Sequence, residues 1–178
     1  MDQDRDLIEE VLKNYYLLSG GVPANFVVRN EIISQQSRLN HLPKEKIDNI
    51  IDNLKREYLV KTVDNARDQI MQKGIKEFEM NNQRLDLVIE NQKLRRKILE
   101  VYFKAQKTDD DSLEFITIME LAKRLNIIYG DNNLLAANQY LLEEDFIEPY
   151  LKLRDRYRIT NIGIIQVEHG CPSLSDNL

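Results

Sequence analysis

The sequence predicts a mostly α-helical protein with small β-ribbons, in which a helical connector joins two copies of one structural unit. Three observations predict this architecture: apolar residues recur at helical spacing, the two halves of the chain resemble each other, and extended segments follow the third helix of each half. We predict unit A at 1–80, the connector at 81–93, unit B at 94–169 and a flexible tail at 170–178. A chain of 178 residues can bury a core in each of two small units.

The internal repeat is visible in apolar residues that recur at a fixed spacing. At a spacing of 87 residues, the matching pairs are Val11 with Ile98, Tyr15 with Tyr102, Ile47 with Leu134 and Leu54 with Leu141. Between these pairs, Ile32-Ile33 matches Ile118-Met119 at a spacing of 86, and Gly74 matches Gly163 at a spacing of 89. The changes in spacing predict insertions near the start of the second helix and in the β-ribbon, where loops tolerate them.

Each copy is predicted to contain three helices, a strand pair and a closing helix. The first helix of unit A carries apolar pairs every four positions, as in Leu7-Ile8 and Val11-Leu12, which form one face of an α-helix. In unit B, the segment 117–120 reads Thr-Ile-Met-Glu and has the form of a capping box that opens the second helix. Asp131 is predicted to be the N-cap of the third helix, and Pro43 is placed in the first turn of its counterpart in unit A.

The β-ribbons are predicted from extended segments that follow each third helix. These segments are 58–63 in unit A and 146–153 and 156–159 in unit B. A closing helix is predicted to begin near Thr160 in unit B. Because no glycine occurs between Gly74 and Gly130, the stretch 69–106 is predicted to be helical almost throughout, with an interruption at Asn81-Asn82.

Two segments of unit B resemble the winged helix-turn-helix superfamily. The first runs from Leu141 to Ile147 and is similar to the family pattern L-x-x-x-G-h-I, in which h is apolar. The second runs from Tyr157 to Gly163 and is similar to the pattern Y-x-h-T-x-x-G. The corresponding segments of unit A lack the tyrosine and the threonine. The resemblance implies a winged-helix fold for both units, and members of the superfamily bind either DNA or protein partners.

The sequence contains none of the short patterns that carry catalysis in well-known enzyme families. It has no phosphate loop, no Gly-x-Ser-x-Gly and no metal-ligand spacing among its two histidines and one cysteine. We therefore expect no enzymatic activity, no cofactor and no metal. No apolar run approaches the roughly 20 residues that a bilayer span requires. The single Cys171 cannot form an internal disulfide, so we expect a cytoplasmic protein without membrane contact.

The third helix is the element that enters the DNA major groove in this superfamily. In unit B, its outward positions are predicted to be Asn132, Ala136, Gln139 and Glu143. Asn132 and Gln139 are candidate readers of adenine edges. However, no lysine or arginine occurs from Asp131 to Pro149, so this helix lacks the cations that dominate affinity for phosphate. In unit A, the outward positions are predicted to be Glu45, Asn49, Asp52 and Arg56.

A basic ribbon in unit B is the second candidate nucleic-acid interface. Its alternating cations are Lys152, Arg154, Arg156 and Arg158. If the segment is extended throughout, this alternation places the four side chains on one face, but a turn near Asp155 would break that register. There they either contact phosphate or form a solvated edge that opposes sheet aggregation.

Two functions are compatible with these patterns. The first is a non-enzymatic tandem winged-helix interaction module in a DNA-related process, such as transcription or chromosome maintenance, that binds mainly a protein partner or a second copy of itself. The alternative is a DNA-binding transcriptional regulator that contacts DNA through the basic ribbon of unit B. The net charge of −5 favours the first function, since free nucleic-acid binders usually carry a basic face.

Overall fold

The protein was analysed in a computed structural model that describes residues 2–23, 25–34, 39–106, 115–150 and 155–169. The described chain is mostly helical, and its strands form two antiparallel three-stranded sheets. It divides into two compact units, Met1–Val88 and Ile89–Leu178. The division falls inside the segment 81–93 that was predicted to connect units A and B.

Unit A combines four α-helices with one small sheet in its described residues. A single turn of 3-10 helix at Leu39–His41 precedes the third α-helix. The strands are hydrogen-bonded in the order β1-β3-β2. In chain order the elements are α1 (Asp2–Ser19), β1 (Phe26–Val28), α2 (Arg29–Ser34), α3 (Lys44–Arg56), β2 (Val60–Thr62), β3 (Arg67–Ile70) and α4 (Gln72–Asn81).

Unit B repeats this order of helices and strands over its described residues. Its strands are hydrogen-bonded in the order β4-β6-β5, which matches the strand order of unit A. Its first helix begins three residues before the division between the units. The elements are α5 (Asp86–Gln106), β4 (Ile116–Thr117), α6 (Ile118–Leu125), α7 (Asn132–Glu143), β5 (Ile147–Pro149), β6 (Arg156–Ile159) and α8 (Asn161–His169). The interruption predicted at Asn81-Asn82 is present, because α4 ends at Asn81 and α5 begins at Asp86.

The strand pairing shows which residues of the two units correspond. Val27 is paired with Asp68, and Ile116 is paired with Tyr157, so both partners are related by a spacing of 89 residues. The predicted match of Ile32-Ile33 with Ile118-Met119 at a spacing of 86 is therefore wrong. Ile32 is the fourth residue of α2, and its counterpart is Leu121, the fourth residue of α6. Both side chains are fully buried, whereas Met119 is exposed.

The first strand of each sheet was missed by the sequence analysis. Strands β1 and β4 have only three and two residues, which is too short for an alternating pattern to appear. The third strand of unit A was also missed, since Asp68 occupies a buried position within it. In unit B, the predicted strand 156–159 coincides with β6.

The core of each unit is centred on the third helix and the first helix. Leu54 of α3 and Leu141 of α7 are 1% and 0% exposed, which confirms the predicted phase of these inward positions. In unit B, Leu141 packs in one apolar cluster with Ile98, Leu121 and Ile159. The chain therefore buries one helical stripe per unit against the sheet and the neighbouring helices.

A left-handed residue ends the third helix in both units. Tyr58 follows α3 with φ of 59°, and Asp145 follows α7 with φ of 58°. The next amide, of Leu59 or Phe146, returns to the carbonyl of Leu54 or Leu141, each at 2.9 Å. This is the six-to-one bond of a Schellman motif, and it turns the chain into the second strand.

A glycine in the closing helix allows close packing against the residue that directly precedes the second strand of each sheet. A Cβ added to Gly74 would collide with the carbonyl oxygen of Leu59, and a Cβ added to Gly163 would collide with that of Phe146. The two glycines thus meet equivalent backbone atoms in the two units.

The predicted caps in unit B are present. The Thr117 hydroxyl accepts from the Glu120 amide at 3.1 Å, while the Glu120 carboxylate pairs with Arg124 rather than returning to the cap. The Asp131 carboxylate accepts from the amides of Asn133 and Leu134. In unit A, Pro43 lies one residue before α3, at the N-cap position, and supplies no side-chain hydrogen bond.

Candidate interaction surfaces

The exposed face of α7 is narrower than predicted. Asn132, Gln139 and Glu143 are exposed, but Ala136 is buried, so its predicted outward position is wrong. The Gln139 amide donates to the Glu143 carboxylate at 2.9 Å, which occupies part of its hydrogen-bonding capacity. The described surface of α7 therefore offers amides and a carboxylate, with no cation to attract a phosphate.

Large apolar side chains are exposed beside this face. Ile128 and Tyr129 precede α7 and are 84% and 66% exposed, and Leu135 in its first half is 43% exposed. The Asp131 amide donates to the Ile128 carbonyl, so a tight turn links the apolar loop to the N-cap of the helix. We call Ile128, Tyr129 and Leu135 the apolar edge of unit B. Contiguous exposed apolar surface is typical of protein-binding sites, and Ile128 and Tyr129 are neighbours in the chain.

The arginines of the predicted basic ribbon are in different environments. Arg158 forms an ion pair with Glu148 on the neighbouring strand, and its guanidinium lies 5.1 Å from the centre of the Phe115 ring. Its charge is therefore compensated within the sheet. Arg156 is exposed at the start of β6. The other two predicted cations, Lys152 and Arg154, lie outside the described residues.

Arg95 of α5 is a cation that the fold buries inside unit B. It is only 2% exposed, and its guanidinium lies 3.6 Å from the centre of the Tyr140 ring on α7. A guanidinium stacked on an aromatic face is a favourable arrangement when water is excluded. Arg95 thus joins the first and third helices of unit B and adds nothing to its surface charge.

The third helix of unit A has the predicted polar face. All four predicted outward residues of α3 are exposed: Glu45, Asn49, Asp52 and Arg56. Asp48 is exposed beside them. The face therefore carries more carboxylates than cations, which opposes close approach to a phosphate backbone.

A buried ionic network lies behind this helix in unit A. Asp68 of β3 has a fully buried side chain and accepts from the Tyr15 hydroxyl at 2.7 Å. The Arg29 guanidinium donates Nε to Oδ2 and Nη2 to Oδ1 of the same carboxylate, at 2.6 and 2.7 Å. This two-point geometry is the strongest form of arginine–carboxylate pairing. Lys55 of α3 lies 3.8 Å from the carboxylate.

The network holds the Asp68 carboxylate in its charged form. Burial by itself raises the pKa of Asp68, but the hydrogen bonds from Arg29 and Tyr15 and the charge of Lys55 together lower it below its usual range. The hydrogen bond to Asp68 raises the pKa of Arg29. Burial, followed by the Asp68 hydrogen bond, raises the pKa of Tyr15 far above its usual range.

Arg29 also ties the ribbon of unit A to the start of α2. Its terminal nitrogens donate to the backbone carbonyls of Asp64 and Asn65, each at 3.3 Å. Within the turn, the Asp64 carboxylate accepts from the amides of Ala66 and Arg67 and pairs with the Arg67 guanidinium. The ribbon of unit A is therefore fixed at both its base and its tip.

A cavity of about 480 Å³ opens above this network in unit A. The start of α2, one face of α3 and the ribbon turn line it. Its charged residues are Arg29, Lys44, Asp48, Asp52 and Lys55. No sequence pattern indicates this cavity, because its walls come from three segments that are far apart in the chain.

The described residues contain no group of three or more histidine, cysteine, aspartate and glutamate side chains that could hold a metal ion. Among the helices of the described ranges, none has the length and apolar character needed to cross a bilayer. Comparison with known proteins finds no matching family, no matching curated protein and no matching solved structure.

Proposed function

We propose that this chain is a non-enzymatic tandem winged-helix interaction module that binds mainly a protein partner, in a DNA-related process. The partner surface is the apolar edge of unit B together with the exposed face of α7. The observation that carries the proposal is the composition of this surface: exposed apolar side chains and amides, with no cation between Asp131 and Pro149.

The winged-helix assignment is supported by the order of elements in each unit. A helix, a strand, two helices, two strands and a closing helix follow one another in both units, and the first strand pairs with the third. The glycine against the second strand segment and the left-handed residue after the third helix occur at equivalent places. Two independent backbone constraints at matching positions are what a tandem repeat predicts.

The protein-binding role is supported by the energetics of the surface. Interfaces between proteins have an apolar centre, and aromatic side chains are enriched there. Tyr129 and Ile128 offer such a centre, and Gln139 offers polar contacts at its side. DNA binding would instead require cations, because phosphate neutralisation supplies most of the affinity.

The test compares two variants of the full chain in affinity purification followed by quantitative mass spectrometry. In the first, Ile128, Tyr129 and Leu135 are replaced by serine. In the matched control, the exposed Ile162 and Ile165 of α8 are replaced by serine. We expect one partner to be retained by the wild type and the control and lost by the first variant. Equal retention by all three proteins would contradict the proposed surface.

The alternative is a transcriptional regulator that binds DNA through the ribbon of unit B. The exposed Arg156 favours it, since this cation stands at the start of β6 next to the turn. Replacing Arg154, Arg156 and Arg158 together by alanine should then abolish most DNA binding. The salt dependence should decrease by about 0.9 in log–log slope per lost phosphate contact.

This alternative is tested by DNA mobility shifts over a range of salt concentrations. Gln139→Ala should change DNA affinity little if the ribbon carries the binding. Under the protein-binding proposal, the wild type shows only weak and salt-sensitive DNA affinity. Tight and sequence-selective binding that is lost in Gln139→Ala, but kept in the triple arginine variant, would contradict both functions and favour a conventional recognition helix.

A further inference from the structure

We propose that the cavity of unit A binds a free α-amino acid with an apolar side chain. This ligand site lies in the other unit from the proposed protein-binding surface and does not depend on it. The cavity has three features that such a ligand would contact: the Lys55 ammonium, the carboxylates of Asp48 and Asp52, and apolar side chains in its wall. A volume of about 480 Å³ lies within the range of small-molecule sites and accommodates such a ligand.

Lys55 is the cation of the cavity whose ammonium lies within 4 Å of two carboxylates without a short hydrogen bond to either. Arg29 already forms a two-point pair with Asp68, so that carboxylate is compensated before Lys55 is considered. The Lys55 side chain is 24% exposed, and its ammonium lies 3.7 Å from the Asp52 carboxylate and 3.8 Å from the Asp68 carboxylate. Both separations are longer than a hydrogen bond between charged groups. A ligand carboxylate at this ammonium would gain a short, charge-assisted bond.

The rim of the cavity selects against a simple anion. Asp48 and Asp52 are exposed on the same face of α3, and both line the cavity. Their charges oppose a ligand that carries only negative charge, and they provide acceptors for an ammonium group. Asp52 is 61% exposed, so its pairing with Lys55 is a surface ion pair of about 0–1 kcal/mol. A ligand carboxylate can therefore replace Asp52 at Lys55, which leaves Asp52 to accept from the ligand ammonium.

The remaining wall combines apolar side chains with the polar residues Asn30 and Asn65. Val28, Ile33, Ile51 and Ala66 line the cavity between the charged residues. They provide contact surface for an aliphatic or aromatic side chain. A zwitterion with an apolar side chain can contact the Lys55 ammonium, the carboxylates of α3 and the apolar side chains. A fatty acid or an alkyl amine can contact only two of these three. Because the ligand would touch α2, α3 and the ribbon turn, binding would also fix these three segments relative to one another.

The first experiment is isothermal titration calorimetry of the full chain with L-leucine and L-phenylalanine. Isocaproate and isoamylamine are matched probes, since each has the leucine hydrocarbon chain with only one of its two charged groups. We expect at least one amino acid to bind, and both single-charge probes to bind about tenfold more weakly or worse. Equal binding of isocaproate or of isoamylamine would overturn the zwitterion site. Failure of both amino acids to bind at millimolar concentration would overturn it as well.

The second experiment locates the site with variants. Lys55→Met keeps the length of the side chain and removes its charge, and it should weaken binding about tenfold or more. Lys61→Met removes an exposed lysine of β2 outside the cavity and should leave binding unchanged. Asp52→Asn changes an exposed residue and tests the ammonium contact if Lys55→Met does not fold. Wild-type affinity in both Lys55→Met and Asp52→Asn, or in whichever of them folds, would overturn the proposal.

Discussion

A tyrosine of the first helix is buried in both units, but its hydroxyl is satisfied in two different ways. In unit A, Tyr15 donates to the Asp68 carboxylate on the third strand. In unit B, Tyr102 donates to the Asn138 side-chain carbonyl on the third helix, at 2.8 Å. The tyrosine thus occupies the same position in both units, but its acceptor lies on the third strand in unit A and on the third helix in unit B.

The exchange involves two pairs of equivalent positions. The position of Asn138 is occupied in unit A by Ile51, and the position of Asp68 is occupied in unit B by Tyr157. The charged acceptor also needs a cation, which Arg29 supplies from the first residue of α2. In unit B the first residue of α6 is Ile118. A buried hydroxyl without an acceptor costs about 1–3 kcal/mol. Each unit therefore needs an acceptor for its tyrosine hydroxyl, and either a carboxylate on the third strand or an amide on the third helix meets this need.

The largest effects are expected where the two units are most alike. Leu54→Ala and Leu141→Ala should each lower the free energy of unfolding by about 2–5 kcal/mol, because each removes a buried side chain and leaves a cavity. Chemical denaturation of the full chain measures both. A neutral result for either variant would break the equivalence of α3 and α7.

The glycines of the closing helices should also behave alike. Gly74→Ala and Gly163→Ala should each lower the free energy of unfolding by about 3 kcal/mol, since the added Cβ would collide with a backbone carbonyl that cannot rotate away. Glu77→Ala, at an exposed position of α4, is the matched control and should be nearly neutral. Thermal unfolding that is unchanged by one glycine variant would show that its unit packs differently.

Substitutions of the two tyrosine acceptors should have different effects on the stability of the two units. Asp68→Asn should destabilise unit A by about 2–3 kcal/mol, because it leaves the partly buried Arg29 without its counter-ion. Asn138→Leu removes a neutral acceptor in unit B and should cost about 1 kcal/mol. Hydrogen exchange resolved by residue assigns each loss to its unit. A larger effect of Asn138→Leu would reverse the proposed difference.

Lowering the pH should reduce the stability that the Asp68 carboxylate gives unit A, whereas the equivalent contribution of Asn138 in unit B should not change. The folded pKa of Asp68 lies below its ordinary value of about 3.9, so its contribution to stability is complete above that pH and is lost as the pH falls through the folded value. Asn138 does not titrate. Nuclear magnetic resonance signals of the two units, followed from neutral to acidic pH, test this. Asp68→Asn should remove part of the acid dependence of unit A and leave that of unit B unchanged.

The smallest effect is expected at the start of the third helices. Asp131→Ala should cost about 1 kcal/mol, because two amides of α7 lose their acceptor. Pro43→Ala removes no side-chain cap from α3 and should cost less. Equal losses in chemical denaturation would contradict this difference between the units.

Much of the fold could be predicted from local signals. The phase of α3 and α7, the Asp131 cap and the strand at 156–159 all follow from patterns within one turn or one strand of the chain. Strands β1 and β4 could not be predicted in this way, because they are defined by pairing with β3 and β6 and not by their own two or three residues. The wrong match at the second helices has the same origin, since only the strand register shows that Ile32 corresponds to Leu121.

The candidate surfaces were predicted less completely, because they depend on contacts between distant segments. Arg158 was expected to be a free cation, but its charge is compensated by Glu148, which becomes its neighbour only when β5 pairs with β6. Ala136 was expected to face outward because a spacing of 87 residues relates it to Asn49 of α3, which is exposed, whereas Ala136 is buried. The cavity of unit A needs three segments at once, and no spacing in the sequence indicates it.

The left-handed residues after the third helices have a consequence for the evolution of this chain. Tyr58 and Asp145 hold a backbone conformation that glycine adopts without strain, and the pattern that the sequence resembles has glycine at this place. Each unit therefore contains a site where an available mutation would make the fold more robust. In a lineage under heat stress, a glycine substitution at either position would raise the stability of its unit. In a lineage that accumulates destabilising substitutions in the core, the same two substitutions would offset part of the lost stability.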